Sequence, residues 1–276
     1  MNPWMAALGA LAVPAGAALL VWRHRRGRNR LYAQLAGAPG AAGGESVRLN
    51  AGEEPPDARR YAAAFVAERL VCVDEFAAPA TLARLRDEAL AGIPRMDHSH
   101  IPWHKKGNTL SYEQILRHAP HIAEFYRSRA LRDWISTITG TTVQMTPLQD
   151  QSSLSVLCYK DAGDHIQWHY DHNFYRGRHF TVLLSLVNRA ATGGLSHSRL
   201  ERQFPGGETR VIDIPENTLV VFEGARVRHR ATPTAAGDLR VILSMTYCDD
   251  PRISPAKALA RRIKDTAFFG IRALWD

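Results

Sequence analysis

The sequence predicts a mainly β domain, a sandwich or jelly roll, with helices ahead of it. Two observations predict it. After Gly140, short β-branched and apolar runs recur at 142–145, 153–159, 180–186, 210–214, 219–222 and 241–247. Turn signals stand between them: Asp161-Ala-Gly, Thr192-Gly-Gly, Pro205-Gly-Gly, Pro215-Glu-Asn and Ala236-Gly-Asp. Many short strands with turn residues at this spacing favour sheet packed on sheet. Before Gly140 the apolar spacing is helical instead.

Residues 3–22 carry no charge, and a helix of that length roughly spans a hydrocarbon core of about 30 Å. Trp4 and Trp22 stand at its ends, where amphipathic rings favour the interface. A single-pass anchor is expected, with the N-terminus outside and the following domain cytoplasmic, because Arg23, Arg25, Arg26, Arg28 and Arg30 follow at once. A cleaved signal peptide and a non-inserting apolar tail also fit the segment. The signal reading lacks a basic stretch before the apolar run. Residues 23–57 read as a basic flank and flexible linker, with AGAPGAAGG at 36–44 and EEPPD at 53–57.

Residues 58–140 form the helical part. Helices are expected at 58–68, 81–91 and over most of 112–139, with a strand at 70–73 and Gly140 as the stop. The polar stretch 94–110 (PRMDHSHIPWHKKGNTL) reads as a loop. Residues 141–250 form the β core, and 251–276 a final helix capped by Ser254 with Pro255 at its first position. Its lysines and arginines fit either packing on the core or a membrane surface.

Composition excludes some classes. The net charge is +8, but the five arginines at 23–30 leave about +3 for the rest, and no basic-aromatic pattern of a nucleic-acid binder is visible. Cys72, Cys158 and Cys248 are few, odd in number and widely spaced, so no disulfide framework is expected. All three fall in apolar runs and read as small core residues of a reducing compartment.

The chemistry concentrates at DHIQWHYD, Asp164 to Asp171. His169 and Asp171 are two apart, and on an extended strand such residues share a face. His229, 58 residues after Asp171, is the expected third ligand. Two imidazoles and one carboxylate on one side of an ion leave positions open, the arrangement of non-haem Fe(II) oxygenases. Arg240 opens a strand 11 residues after His229 and has the fork to grip a carboxylate. Tyr159, near a strand end, has a hydroxyl to share that task.

Together these pieces resemble the prolyl 4-hydroxylase-like branch of the Fe(II)/2-oxoglutarate dioxygenase superfamily: His169-x-Asp171, His229 followed by Ala231-Thr-Pro233, and Gly237-x-x-Arg240. The segment LVCVDEF, Leu70 to Phe76, resembles the entry to that domain. The likeness covers about 68–250. It implies a double-stranded β-helix, Fe(II), 2-oxoglutarate and O2 as cofactor and co-substrates, ascorbate as a candidate reductant, and succinate and CO2 as products. It implies Ser185 near the 2-oxoglutarate carboxylate. It implies no catalytic side chain beyond the metal centre. Halogenases of the superfamily lack the metal carboxylate, so Asp171 points to hydroxylation. One departure is the stretch LSHSRLERQF after Gly193-Gly194, where the family often has Glu-Thr; Gly206-Gly-Glu-Thr209 comes later.

A lipid or other small membrane-proximal substrate is favoured over protein. A prolyl residue of a peptide, or a non-enzymatic metal or 2-oxoglutarate sensor, are the alternatives. His98, His100 and His104 form a further cluster, either a second metal site or a solvated, substrate-facing loop. Trp103 and Trp168 fit pocket or packing roles equally. Oligomeric state is not legible.

Overall fold

Three strands, Leu154–Tyr159, His179–Arg189 and Leu239–Cys248, are buried on both faces, and that single feature organises the chain. The computed structural model describes residues 57–269 and isolated helical positions between Gly16 and Arg30. The expected span at 3–22 lies, apart from Gly16, Leu19 and Trp22, outside the described residues, as does nearly all of the expected linker. Among the described residues, no helix is long and apolar enough to cross a membrane.

Helix α1 (Arg59–Glu68) ends where Arg69 turns left-handed at φ 57° and its N–H bonds the Phe65 carbonyl. Strand β1 (Leu70–Val73) and helix α2 (Pro79–Gly92), with Pro79 in its first turn, follow. The helical stretch expected over 112–139 is three helices: α3 (Tyr112–His118), α4 (Pro120–Arg127) and α5 (Arg129–Thr139). Pro120 lacks a donor and disfavours helical backbone before it, which separates α3 from α4. Ser128 starts α5 by accepting from the Leu131 N–H at 3.2 Å, and Gly140, at φ 70°, ends it as expected.

The stretch 94–110 is not a loop. After a single 3-10 turn it forms an antiparallel hairpin of β2 (Asp97–Ile101) and β3 (Lys105–Leu110). Its residues are polar, so no apolar alternation marks them. They are strands because β3 pairs with both the strand Leu154–Tyr159 and the strand His165–His169, which satisfies its backbone groups. The sheet continues through β4 (Gln144–Met145), β5 (Leu154–Tyr159), β6 (His165–His169), β7 (His179–Arg189), β8 (Leu200–Gln203), β9 (Thr209–Ile212), β10 (Leu219–Glu223), β11 (Arg228–Ala231) and β12 (Leu239–Cys248). Strands β8 and β11 carry arginines and a glutamate outward, and their composition hid them.

The order is β1-β10-β7-β12-β5-β3-β6-β11-β8-β9, with β2 on β3 and β4 on β12. The architecture is a curved, mainly β sheet flanked by helices, consistent with a jelly roll. The sheet takes β1 and β3 from before Gly140, so the helical and β parts are not separate units.

Alternation along the central strands divides two environments. Leu154, Val156, Phe180, Val182, Leu184, Val241, Leu243 and Met245 pack with Phe65, Leu85, Ile115 and Ile135 of the helices. Ser155, Leu157, Tyr159, His179, Thr181, Leu183, Arg240, Ile242 and Ser244 line a cavity on the opposite face. The three cysteines lie on β1, β5 and β12 with free thiols. Helix α6 (Pro255–Phe269) packs on the domain: Lys264 donates to Ser152 Oγ at 2.7 Å, and Arg261 to the Gln149 carbonyl.

Leu243 is fully buried between sheet and helices. Leu243→Ala is expected to cost about 2–5 kcal/mol in urea unfolding. Val66→Ala, on the exposed side of α1, should stay within about 0.5 kcal/mol.

Candidate active site

His169 closes β6 and His229 lies in β11, and the two residues face each other directly across the antiparallel ladder. Each imidazole Nδ1 meets the carbonyl two residues upstream, Gln167 at 2.7 Å and Val227 at 2.9 Å. A carbonyl only accepts, so Nδ1 holds the proton and Nε2 offers its lone pair. Both Nε2 atoms face Asp171 Oδ1, at 3.5 Å from His169 and 3.8 Å from His229. The three ligand atoms lie within 4.8 Å of one another, and this is the one such group among the described residues. Two neutral imidazoles and a carboxylate on one side suit Fe(II) with open positions.

Asp171 lies two residues past the end of its strand, so a ladder does not aim it. Its N–H donates to the Gly224 carbonyl at 3.0 Å, and its Oδ2 accepts from Thr181 Oγ1 at 2.5 Å, leaving Oδ1 for an ion. A Cβ on Gly224 would lie 2.7 Å from both Asp171 Cβ and Oδ2. The glycine is therefore the surface against which the carboxylate rests. Neither Gly224 nor Thr181 carried a sequence signal.

Burial alone would raise the Asp171 pKa, but the His229 and His169 imidazoles and the Thr181 hydroxyl outweigh it and hold the carboxyl far below its usual range. Burial pushes His229 down, towards the neutral form that binds metal. Burial also opposes charge on His169, yet the bond to Asp171 and its charge prevail and raise it.

Arg240, the second residue of β12, stands directly opposite Tyr159 of β5, with its guanidinium carbon 5.6 Å from the ring centre. It is buried, donates to Ser198 Oγ at 3.4 Å, and its Nε has no partner. No carboxylate pairs with it among the described residues. Both side chains line the cavity of about 190 Å³ that also holds the triad. Ser185 does not: it is fully buried and its hydroxyl points at the Ile214 carbonyl, 3.4 Å away.

The histidine cluster at 98–104 separates. His98 bonds Asn108 Oδ1 at 3.2 Å on the hairpin, while His104 reaches the cavity with its ring centre 5.9 Å from that of His169. Trp103 is 95% exposed at the hairpin turn, and Trp168 lies beneath Arg230, so neither lines the cavity. Phe268 and Phe269 of α6 do. So does Lys105, which the sequence did not mark; it is 3% exposed, and its Nζ donates to Thr109 Oγ1 at 2.9 Å. Burial, with Lys264 nearby, lowers Lys105 from 10.5 to about 8.

Two family models match the chain. That for Halogenase D matches residues 54–176, and that for the 2OG-Fe(II) oxygenase superfamily matches 154–247. No curated protein matches. Among solved structures, an oxidoreductase of the 2OG-Fe(II) oxygenase family from Burkholderia pseudomallei is similar at TM-score 0.57 and 16% identity, over 76% of this chain and 100% of that one. A prolyl-4-hydroxylase of Pseudomonas putida is similar at TM-score 0.53 and 15% identity, over 70% and 98%. The alpha-ketoglutarate-dependent epimerase SnoN from nogalamycin biosynthesis is similar at TM-score 0.58 and 14% identity, over 70% and 80%. At these identities the likeness is one of fold.

Gly224→Ala should displace Asp171 and weaken Co(II) binding to the metal-free protein at least about tenfold, read from the visible absorption of the bound ion; unchanged affinity would count against the packing described. The Lys105 shift has a definite sign. Between about 8 and 10.5 the unfolded chain holds the proton that the folded chain has lost, so this group's contribution to stability rises with pH across that window. Below it the penalty is fully present, roughly 3 kcal/mol. Lys105→Met should therefore be more stable than wild type at pH 7, with the gap closing towards pH 10 in chemical unfolding.

Proposed function

The chain belongs to the 2OG-Fe(II) oxygenase superfamily, a family of oxidoreductases, and from that premise we propose that it hydroxylates an unactivated C–H bond of a small-molecule or lipid substrate. One observation carries the reading: the His169, Asp171 and His229 donors and the Arg240 guanidinium, which has no carboxylate partner among the described residues, line the same cavity. Bound Fe(II), with 2-oxoglutarate and O2, supplies the oxidising chemistry and releases succinate and CO2.

The protein's own part is positional. His169, His229 and Asp171 hold the ion from one side, with both imidazole tautomers set by the Gln167 and Val227 carbonyls. Arg240, seated beside Tyr159, takes the distal carboxylate of the co-substrate through a charge-assisted pair. Leu157, Ile166, Leu183, Phe222 and Ile242 line the cavity with apolar surface and exclude water from it. The finer fold that supports this arrangement is a double-stranded β-helix.

The match to the Halogenase D model raises a second outcome, halogenation. Against it stands Asp171, whose carboxylate takes the position a halide would need and is fastened there by Thr181 and Gly224. We place the domain at the cytoplasmic face of a membrane on the strength of the uncharged run at 3–22 and the arginines after it. Recovery of the chain in the soluble fraction after gentle lysis would remove that placement.

The test is oxygen-dependent conversion of 2-oxoglutarate to succinate by full-length protein loaded with Fe(II), with ascorbate and membrane extract present. Loss of turnover by two orders of magnitude or more is expected for His169→Ala, and a large rise in the 2-oxoglutarate requirement for Arg240→Ala. No succinate from iron-loaded wild type would favour a sensor. Chlorinated rather than hydroxylated product in chloride buffer would overturn the role given to Asp171.

A further inference from the structure

Two cations of the cavity have no carboxylate partner among the described residues, and the proposed reaction uses only one of them. Lys264, the third, is paired with Asp150 and Asp265 at 3.8 and 3.3 Å. Arg240 faces the co-substrate. Lys105 remains. Its ammonium sits 3% exposed with one neutral partner, Thr109 Oγ1, and the Phe268 ring centre 5.1 Å away.

Keeping a charge in such a place is unfavourable unless an anion joins it. The described residues supply none. Asp171 is committed to the metal position and to Thr181, and Asp150 accepts from Tyr175 Oη at 2.6 Å besides pairing with Lys264. With a divalent ion, Asp171 and the dianionic co-substrate in place, Arg240 balances the remaining negative charge. The cavity is then left one positive charge in excess, at Lys105. A monoanion closes that count; a dianion such as a phosphate monoester overshoots it.

The position agrees. Lys105 is a buried residue of β3, which pairs with β6, the strand of His169. The walls nearby are apolar and aromatic: Ile166, Phe268 and Phe269 all line the cavity.

We propose that Lys105 is a specificity-determining residue that binds the carboxylate of the substrate, and that the substrate is a small monocarboxylic acid with an apolar body. This rests on the oxygenase reading above. A membrane-proximal acid of this kind, a fatty acid, meets both demands.

The experiment uses full-length protein loaded with Mn(II) and 2-oxoglutarate under argon, so that nothing turns over. Straight-chain carboxylates from butyrate to dodecanoate, and the matching primary amides, are titrated by calorimetry into wild type and Lys105→Met. At least one acid should bind roughly tenfold to hundredfold more tightly than its amide, the range expected for a charge-assisted hydrogen bond in a buried site, and Lys105→Met should erase that preference. Unfolding curves of the variant, expected to be no less stable at neutral pH, exclude misfolding as the cause.

2-Oxoglutarate itself is titrated into both Mn(II)-loaded proteins. Affinity within about twofold between them is expected. A loss of tenfold or more in the variant would assign Lys105 to the co-substrate and overturn the proposal. Acids that bind no better than amides, with 2-oxoglutarate binding intact, would overturn it while leaving the oxygenase reading standing. Failure of wild type to bind 2-oxoglutarate would instead remove the reading beneath it.

Discussion

The pairing of β11 against β6 is the constraint on which the site depends. It sets His229 opposite His169 in the ladder, so two ligands from residues 60 apart meet with no loop to hold them. A slip of one residue would send one imidazole to the opposite face of the sheet, because side chains alternate with period two. The ladder also delivers the carbonyls of Gln167 and Val227 to the two Nδ1 atoms, from the same strand β6 and from the residue just ahead of β11. Position and tautomer are therefore set together. The third ligand needs separate support, because β6 ends before Asp171; Gly224 and Thr181 provide it from two other parts of the sheet.

Stability and function occupy opposite faces of the same strands. Along β7, Phe180, Val182 and Leu184 enter the helix-packed core while His179, Thr181 and Leu183 face the cavity. Nearly all of β7 is buried, so it reads as one apolar run, the pattern of a strand covered on both sides. The helices α1 to α5 take no part in the cavity lining. Their contribution is to cover the outer face, which lets the inner face carry Arg240, Tyr159 and Lys105 in a water-poor setting where each charge counts for more.

The sequence was legible where chemistry and periodicity coincide. His169, His229, Arg240 and Tyr159 are polar, chemically distinctive residues at strand positions, Asp171 follows His169 by two residues, and the structure brings all five to one cavity. The apolar strands and the capped ends of α5 and α6 were legible for the same reason. The β2–β3 hairpin was not, because its residues are polar and its strand character comes from pairing with β5 and β6, partners distant in the chain. Ser185, placed by likeness alone, stands on β7 outside the cavity lining, with its hydroxyl at the Ile214 carbonyl. Gly224 and Lys105 were invisible for a further reason. A glycine that rests against a ligand, or a lysine that turns inward, looks the same in a sequence as one in a surface turn.

The cavity is built from segments inside and outside the family-matched stretch of this chain. The three candidate ligands and Arg240 lie within 54–247, the stretch that the two family models cover between them. Part of the cavity wall draws on α6, which begins at Pro255, beyond both models. Phe268 and Phe269 enter the cavity from that helix, and Lys264 fastens it through Ser152 and Asp150. The family models thus cover the candidate ligands, Arg240 and Lys105, and leave out the part of the cavity wall that α6 supplies. The stretch matched by the Halogenase D model itself contains His169 and Asp171, so the carboxylate lies within the likeness rather than beyond it, and Gly224, outside that stretch, leaves the room it occupies.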